Sequence, residues 1–236
     1  MGRDMRGRYR MKKAVCLLSG GMDSAVTAAI AKKQGYEIFA LSFDYGQRHR
    51  KELSCACMIA GFLDAKEHRI LKIDLRGIGG SALTSDTAVP VGKDIAKIKS
   101  NKEIPVTYVP ARNTIMLSFA LAYAEVVGAG AIFIGANCVD YSGYPDCRPE
   151  YFKKFQELAD LATKRTVGGK KIRIETPIIT LDKAGIVKKG LELVVPFENT
   201  WSCYLGGEKA CGMCDSCVLR LNGFMEAGAT DPILYE

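Results

Sequence analysis

Three groups of residues carry the chemistry legible in this chain. The first is Ser19-Gly20-Gly21-Met22-Asp23-Ser24, directly after the apolar run Ala-Val-Cys-Leu-Leu at 14–18. An apolar run of that length, bounded by glycines, predicts a buried strand. Residues 25–33 predict a helix. The glycines therefore fall in a strand-to-helix turn, where a missing Cβ lets backbone approach a ligand. Free amides and the positive end of the helix dipole favour an anion there, and phosphate is the natural occupant. The plainer alternative is a helix start capped by Ser or Asp. No Gly-Lys-Ser/Thr follows, so this is not a Walker loop. The Gly-x-Gly-x-x-Gly of dinucleotide binding is missing too.

The second group is Cys203, Cys211, Cys214 and Cys217, spaced Cys-x7-Cys-x2-Cys-x2-Cys. Two consecutive Cys-x2-Cys steps bring three thiolates onto one ion at the start of a helix. Cys203 returns from a glycine-containing loop to complete a tetrahedron. Four thiolates suit one closed, structural Zn²⁺ site. The metal and the helix N-terminus together favour the thiolate form. An iron–sulfur cluster or a redox thiol pair is the alternative. Cys16, Cys55, Cys57, Cys138 and Cys147 lack such spacing, and Cys16 reads as a small buried hydrophobe.

The third group follows other strands. Asp44-Tyr45-Gly46-Gln47-Arg48-His49 ends the second apolar run. It either contacts the base or ribose of a nucleotide or is a capped helix start. Arg112 and Asn113 precede an apolar helix. Asn113 suits an N-cap, and Arg112 grips a carboxylate or phosphate bidentately or lies on the surface. The loop at 140–148 gathers Asp140, Tyr141, Tyr144, Asp146 and Arg148. Such a loop can stack a planar heterocycle and hydrogen-bond its edge through carboxylates. Lys183 opens a late helix and either reaches a phosphate or is an exposed helix residue.

To position these residues the chain alternates strand-like and helical runs. Strands are expected at 14–18, 37–43, 68–75, 131–135 and 172–178, with helices at 25–33, 47–61, 114–127, 149–166 and 181–193. This order predicts an α/β fold with a doubly wound, mostly parallel sheet. Ligands bind outside the carboxyl ends of such strands, so 19–24, 44–47 and 136–148 converge on one cleft. Residues 76–109 are too long for an ordinary connection; a mobile lid and plain disorder are the two expectations.

Composition bounds the function classes. With 236 residues, 48% of them hydrophobic, the chain fits one α/β domain plus a small appendage. The net charge is +7, and residues 1–13 hold most of it through Arg3, Arg6, Arg8, Arg10, Lys12 and Lys13 against Asp4. Basicity concentrated in a tail gives little support to a nucleic-acid face. Only a short apolar run follows the tail, too little for a secretory signal. The most apolar region, 115–136, is interrupted by Glu125, Gly128 and Gly130 and reads as helix, turn and strand rather than a membrane span. Metal-type cysteine spacing predicts a cytoplasmic protein rather than a disulfide framework.

Residues 19–24 resemble the pyrophosphate loop of the ATP pyrophosphatase superfamily, which cleaves ATP between its α and β phosphates and adenylates a carbonyl oxygen. Residues 19–24, 44–49, Pro110-Ala111-Arg112-Asn113, Ser142-Gly143-Tyr144-Pro145-Asp146-Cys147-Arg148 and the four cysteines together resemble the 7-cyano-7-deazaguanine synthase family. The resemblance spans about residues 12–230. It implies an adenine nucleotide alpha hydrolase-like fold. The implied activity is a ligase that turns 7-carboxy-7-deazaguanine and ammonia into 7-cyano-7-deazaguanine at the expense of ATP, for queuosine or archaeosine precursors.

The resemblance also implies roles. ATP would meet Leu18, Ser19, Gly20, Gly21, Met22, Asp23, Ser24, Ala25, Val26, Thr27, Ala28, Asp44 and Gln47. Asp23 would hold Mg²⁺ or orient the loop. Ser19, Asp23, Ser24, Arg112 and Lys183 would be catalytic. Arg112, Asn113, Asp140, Tyr144, Asp146 and Arg148 would meet the substrate. Cys203, Cys211, Cys214 and Cys217 would hold one structural zinc. The domain plan is a disordered basic tail at 1–11, an ATP-binding α/β domain at 12–195 and a four-cysteine helical segment at 196–236. A homodimer is expected, with no membrane and no direct contact with tRNA. No glutaminase domain fits, so ammonia arrives free or from a partner.

Three rival readings share the loop. One is a tRNA-thiolating or lysidine-forming member of the superfamily, which typically adds an RNA-binding domain. Another is an amide-stopping synthetase of the NAD synthetase type, against which the cysteine cluster and the 142–148 loop argue. The third is a zinc-stabilised module that binds ATP without turnover.

Overall fold

The computed structural model describes residues 11–47, 50–92, 94–101, 103–139 and 143–236. Residues 1–10 of the expected tail lie outside these, as do Arg48, His49, Asp140, Tyr141 and Ser142 of the candidate loops.

Five strands form one sheet: β1 (Lys12–Leu17), β2 (Tyr36–Asp44), β3 (Glu67–Lys72), β4 (Ala131–Phe133) and β5 (Arg173–Glu175). Their order is β3-β2-β1-β4-β5, and every neighbouring pair is parallel. The helices are α1 (Met22–Lys33), α2 (Lys51–Phe62), α3 (Ile95–Ser100), α4 (Arg112–Val127), α5 (Pro149–Ala162), α6 (Lys164–Val167), α7 (Lys183–Glu192) and α8 (Asp215–Glu226). The expected α/β class and doubly wound sheet are both present.

A sheet covered on both faces needs apolar residues at successive positions, which is why β1 and β2 read as nearly continuous hydrophobic runs. Val15 and Leu17 pack with the apolar sides of α4 and α5. Ala14 and Cys16 alternate onto the other face, with α1, α2, α7 and Phe224 of α8. Burial drives the Cys16 thiol well above the usual range, as expected of an inert core cysteine. The chain leaves β1 towards β2 on one side, whereas β4 joins β1 on the other. The segments following β1 and β4 therefore diverge at a topological switch point, where such sheets open a crevice.

Several boundaries differ from expectation. β4 and β5 have three residues each, shorter than their apolar runs. The expected helix at 149–166 breaks at Thr163, which is extended (φ −126°, ψ 148°) and opens α6 with a capping box to Thr166. Plain disorder at 76–109 is corrected for the described residues. Leu83, Val89 and Val109 are buried, and α3 is capped by Asp94, which accepts the Lys97 N–H at 2.8 Å. This stretch is tied to the cysteine segment: Val91 bridges Cys214, and the Gly92 N–H donates to the Met213 carbonyl at 3.0 Å.

The cysteine segment shares the main core. Cys203, Cys211, Cys214 and Cys217 lie in the same hydrophobic cluster as Val15, Leu41 and Phe43. Behind them Arg220 is buried, with its guanidinium donating to both oxygens of Asp231 (2.7 and 2.9 Å), to Thr200 Oγ1 (2.8 Å) and to the Phe197 carbonyl (3.1 Å). Among the described residues no helix is long and apolar enough to cross a membrane.

Candidate active site at the switch point

A cleft of about 290 Å³ opens over the carboxyl ends of β1, β2 and β4. Its floor is the turn after β1. Gly20 has φ +85°, and a Cβ there would stand 2.0 Å from the Glu52 carbonyl oxygen. Only glycine fits, because α2 packs directly onto the turn. Gly21 is the N-cap of α1, and no side chain caps that helix. The serines brace the turn from within. Ser24 Oγ donates to the Gly21 carbonyl at 2.9 Å and accepts from the Ser19 N–H (3.2 Å) and hydroxyl (3.0 Å). The Gly21 N–H donates to Ser19 Oγ at 3.2 Å. An uncapped helix start with braced hydroxyls is a ready anion site. The segment after β4 closes over it at Gly135, where a Cβ would lie 2.8 Å from the Ser24 nitrogen. Sequence reading missed Gly135, which it took as the last residue of the strand expected at 131–135; the strand ends at Phe133.

Asp23 is engaged by a cation. Lys183 Nζ lies 3.0 and 2.9 Å from its two oxygens, with the side chains only 14% and 26% exposed. Asp182 fixes the start of α7 by accepting the Gly185 N–H at 2.7 Å. α8 approaches so closely that a Cβ at Gly223 would stand 2.5 Å from Lys183 Cγ. Lys183 is thus a cleft residue and not an exposed helix residue.

Arg112 occupies the opposite wall at the start of α4. Its Nη1 donates to the Tyr45 hydroxyl at 3.4 Å. Burial opposes its charge, but Tyr45, Tyr144, Tyr204 and Glu52 around it outweigh that and hold its pKa above the ordinary arginine range. Glu52, in the first turn of α2, also lines the cleft. Burial raises its pKa to about 7 against the pull of Arg112. Sequence reading missed Glu52 because an acid inside a basic run looks solvated. Its placement one turn beyond the Asp44–Gln47 segment was the available signal.

The remaining candidates divide. Leu18, Ser19, Gly21, Met22, Asp23, Ser24, Gln47, Arg112, Asn113, Tyr144 and Lys183 all line the cleft. Ala25, Val26, Thr27 and Ala28 do not: they are buried inside α1, since only the first turn of a helix presents free amides. Asp44 ends β2 outside the lining. Asp146 turns its carboxylate to the α4 start. It accepts the Asn113 N–H at 3.0 Å, and its carbonyl accepts Asn113 Nδ2 at 2.9 Å. Arg148 is exposed and donates to the Pro145 carbonyl at 3.1 Å, away from the cleft. Asp140 lies outside the described residues.

The four cysteine sulfurs are buried and lie within 4.8 Å of one another. Cys211 and Cys217 sulfurs are 3.9 Å apart. A tetrahedron with metal–sulfur bonds of about 2.3 Å has edges of roughly 3.8 Å, so the cluster can hold one metal ion. Amides point at the sulfurs: Cys211 N–H to Cys203 Sγ at 3.4 Å, and Cys214 N–H to Cys211 Sγ at 3.3 Å. The same segment walls the cleft through Trp201, Ser202 and Tyr204, a role the sequence did not disclose.

A family model described as queuosine biosynthesis protein QueC matches residues 13–228. The chain is 57% identical over 227 residues to the 7-cyano-7-deazaguanine synthase of Paramagnetospirillum magneticum, covering 95% of this chain and 99% of that relative. It is 56% identical over 226 residues to the 7-cyano-7-deazaguanine synthase of Thermoplasma acidophilum, covering 95% and 92%. Among solved structures, a 4-thiouridine synthetase–RNA complex with bound ATP is similar with a TM-score of 0.47 and 21% identity, covering 77% of this chain and 40% of that one. With its motifs, fold and cysteine cluster in place across that whole span, this chain belongs to the queuosine biosynthesis protein QueC family.

Proposed function

We propose that this chain is an ATP-dependent ligase converting 7-carboxy-7-deazaguanine and ammonia into 7-cyano-7-deazaguanine. One observation carries the mechanism: an uncapped, serine-braced helix start, the Lys183 paired to its Asp23, and Arg112 all line a single cleft. A carboxylate is unreactive towards ammonia. Attack of its oxygen on the α phosphate of ATP turns that oxygen into a leaving group. The turn at 19–24 holds the departing pyrophosphate through its amides and hydroxyls, and Lys183 neutralises part of the phosphate charge. Asp23 keeps Lys183 aimed. Arg112 holds the substrate carboxylate in line, so positioning supplies much of the rate.

Ammonia then displaces AMP and gives the amide. A second adenylation, on the amide oxygen, followed by loss of AMP and a proton, gives the nitrile. Mg²⁺ would accompany the ATP phosphates and would be held by one or two carboxylates; the Lys183 pairing favours an orienting role for Asp23. Tyr144 and Asn113 flank the heterocycle, with Asp146 fixing Asn113. The four cysteines hold a single structural Zn²⁺, which stabilises the segment at 196–236. Ammonia arrives free or from a partner. The metal-type grouping of Cys203, Cys211, Cys214 and Cys217 supports a cytoplasmic setting over a disulfide framework. A homodimer belongs to the same reading.

Nucleotide analysis tests the adenylation chemistry. AMP and pyrophosphate are the expected products when 7-carboxy-7-deazaguanine and ammonium are present, and ADP with phosphate would contradict it.

A further inference from the structure

Trp201 stands between the cysteine cluster and the anion turn and bonds to both. Its backbone N–H donates to the Gly20 carbonyl at 2.9 Å. Its indole Nε1–H donates to the carbonyl of Cys203, a cluster member, at 3.1 Å. The ring is buried, and Lys51 Nζ sits 3.6 Å from its centroid. The same ammonium donates to the carbonyls of Gly207 and Glu208, in the loop between Cys203 and Cys211. Arg220 fixes the approach to Trp201 through Thr200 Oγ1 at 2.8 Å.

The peptide joining Gly20 and Gly21 is planar and trans, so its carbonyl and its N–H point in opposite directions. Holding the Gly20 carbonyl on Trp201 therefore turns the Gly21 N–H the other way, where it meets Ser19 Oγ at 3.2 Å. We propose that Trp201 is a positioning residue that couples metal occupancy of the four cysteines to the shape of the pyrophosphate turn. Metal fixes Cys203, Cys203 fixes the indole, and Trp201 fixes the Gly20–Gly21 peptide. Pyrophosphate bound on the turn tightens the same chain of contacts from the other end. Because coupling between two binding equilibria is reciprocal, pyrophosphate tightens metal binding and metal loss weakens pyrophosphate binding; contacts held at both ends of the chain also slow metal release. This inference rests on the reading of residues 19–24 as a pyrophosphate site and of the cysteines as a zinc site.

The test uses the zinc-loaded full chain and inorganic pyrophosphate. Zinc release to a chromogenic chelator is timed with and without saturating pyrophosphate, and pyrophosphate binding is measured separately by calorimetry. The chain has one tryptophan, so its emission reports the junction directly in both experiments. The expected result is release slowed about fivefold or more by pyrophosphate, with a change in Trp201 emission. In Trp201→Phe the backbone N–H remains and the bond to the Cys203 carbonyl is lost. There the slowing shrinks towards one, the zinc content stays stoichiometric, and KM for ATP rises more than KM for the carboxylate substrate. Pyrophosphate that binds without altering zinc release overturns the coupling and leaves the functional reading intact. Failure of pyrophosphate to bind at all overturns both.

Discussion

Lys183 Nζ lies 3.0 and 2.9 Å from the two carboxylate oxygens of Asp23, joining the first turn of α7 to the first turn of α1. This pair sets the charge of the cleft floor, because the lysine is aimed before phosphate arrives. Replacing Lys183 by Ala removes a cation from the phosphates and leaves Asp23 repelling them. The loss expected in kcat/KM for ATP is about a hundredfold, or roughly 2.7 kcal/mol of transition-state stabilisation. Steady-state kinetics with ATP varied checks this, and an unchanged KM and kcat would dismiss the role given to Lys183.

Gly20 and Gly21 differ in what they tolerate. A Cβ at Gly20 would stand 2.0 Å from the Glu52 carbonyl oxygen on a backbone with φ +85°. At Gly21 the nearest atom is Ser19 Oγ at 3.4 Å. Gly20→Ala is therefore expected to push α2 off the turn, lowering stability by roughly 1–3 kcal/mol and abolishing ATP turnover. Gly21→Ala should fold at near-native stability. Thermal melts of the two variants decide it; equal midpoints would show that α2 does not lock the turn.

Arg220 and Asp231 are an ion pair with 1% and 2% of their side chains exposed. Asp231→Ala leaves a buried guanidinium without its counter-charge, which costs roughly 3–5 kcal/mol. Urea denaturation should show a large fall in midpoint. A loss under about 1 kcal/mol would mean that the pair behaves as a surface bridge.

Glu52 makes stability depend on pH. Burial pushes its carboxyl up from the ordinary 4.5 to about 7. Between those values the folded chain holds a proton that the unfolded chain has released, so this group favours folding at low pH. Its contribution is lost as pH rises towards 7 and stays flat above. Glu52→Gln removes the titration. The variant should gain stability over the parent as pH rises from 5 to 8, and a pH-independent difference between the two would contradict this.

Chelation should unfold more than the end of the chain. The four cysteines share a core cluster with Val15, Leu41 and Phe43 of the central strands. A structural Zn²⁺ is worth about 10–16 kcal/mol in small zinc domains. Zinc removal is expected to lower a single cooperative transition that includes the sheet. A transition confined to 196–236, with the sheet melting as before, would show that the two are independent.

Much of the fold was legible because buried parallel strands must be apolar without interruption, and residues 14–18 and 37–43 are. Residues 19–24 and the four cysteines were legible because glycine spacing and thiol spacing have few physical uses. What escaped were contacts made across distant sequence. Glu52 becomes a cleft residue only because α2 rests on Gly20. Trp201 matters only because its segment returns to the β1 turn. Arg220 looks like a surface arginine until Asp231 and Thr200 surround it. Ala25–Ala28, expected to meet ATP, lie buried within α1 and outside the cleft lining. Asp146, expected to meet the substrate, accepts the Asn113 N–H through one carboxylate oxygen, a contact the sequence did not disclose.

Nitrile formation in this cleft is what distinguishes the proposed ligase from an amide-forming synthetase. Its most direct test is mass spectrometry of the small molecules after incubation with 7-carboxy-7-deazaguanine, ATP and isotopically labelled ammonium. The account predicts 7-cyano-7-deazaguanine carrying the label in its nitrile nitrogen, with AMP formed alongside it. Folded, zinc-loaded protein that yields only the amide, or no labelled product, would contradict it.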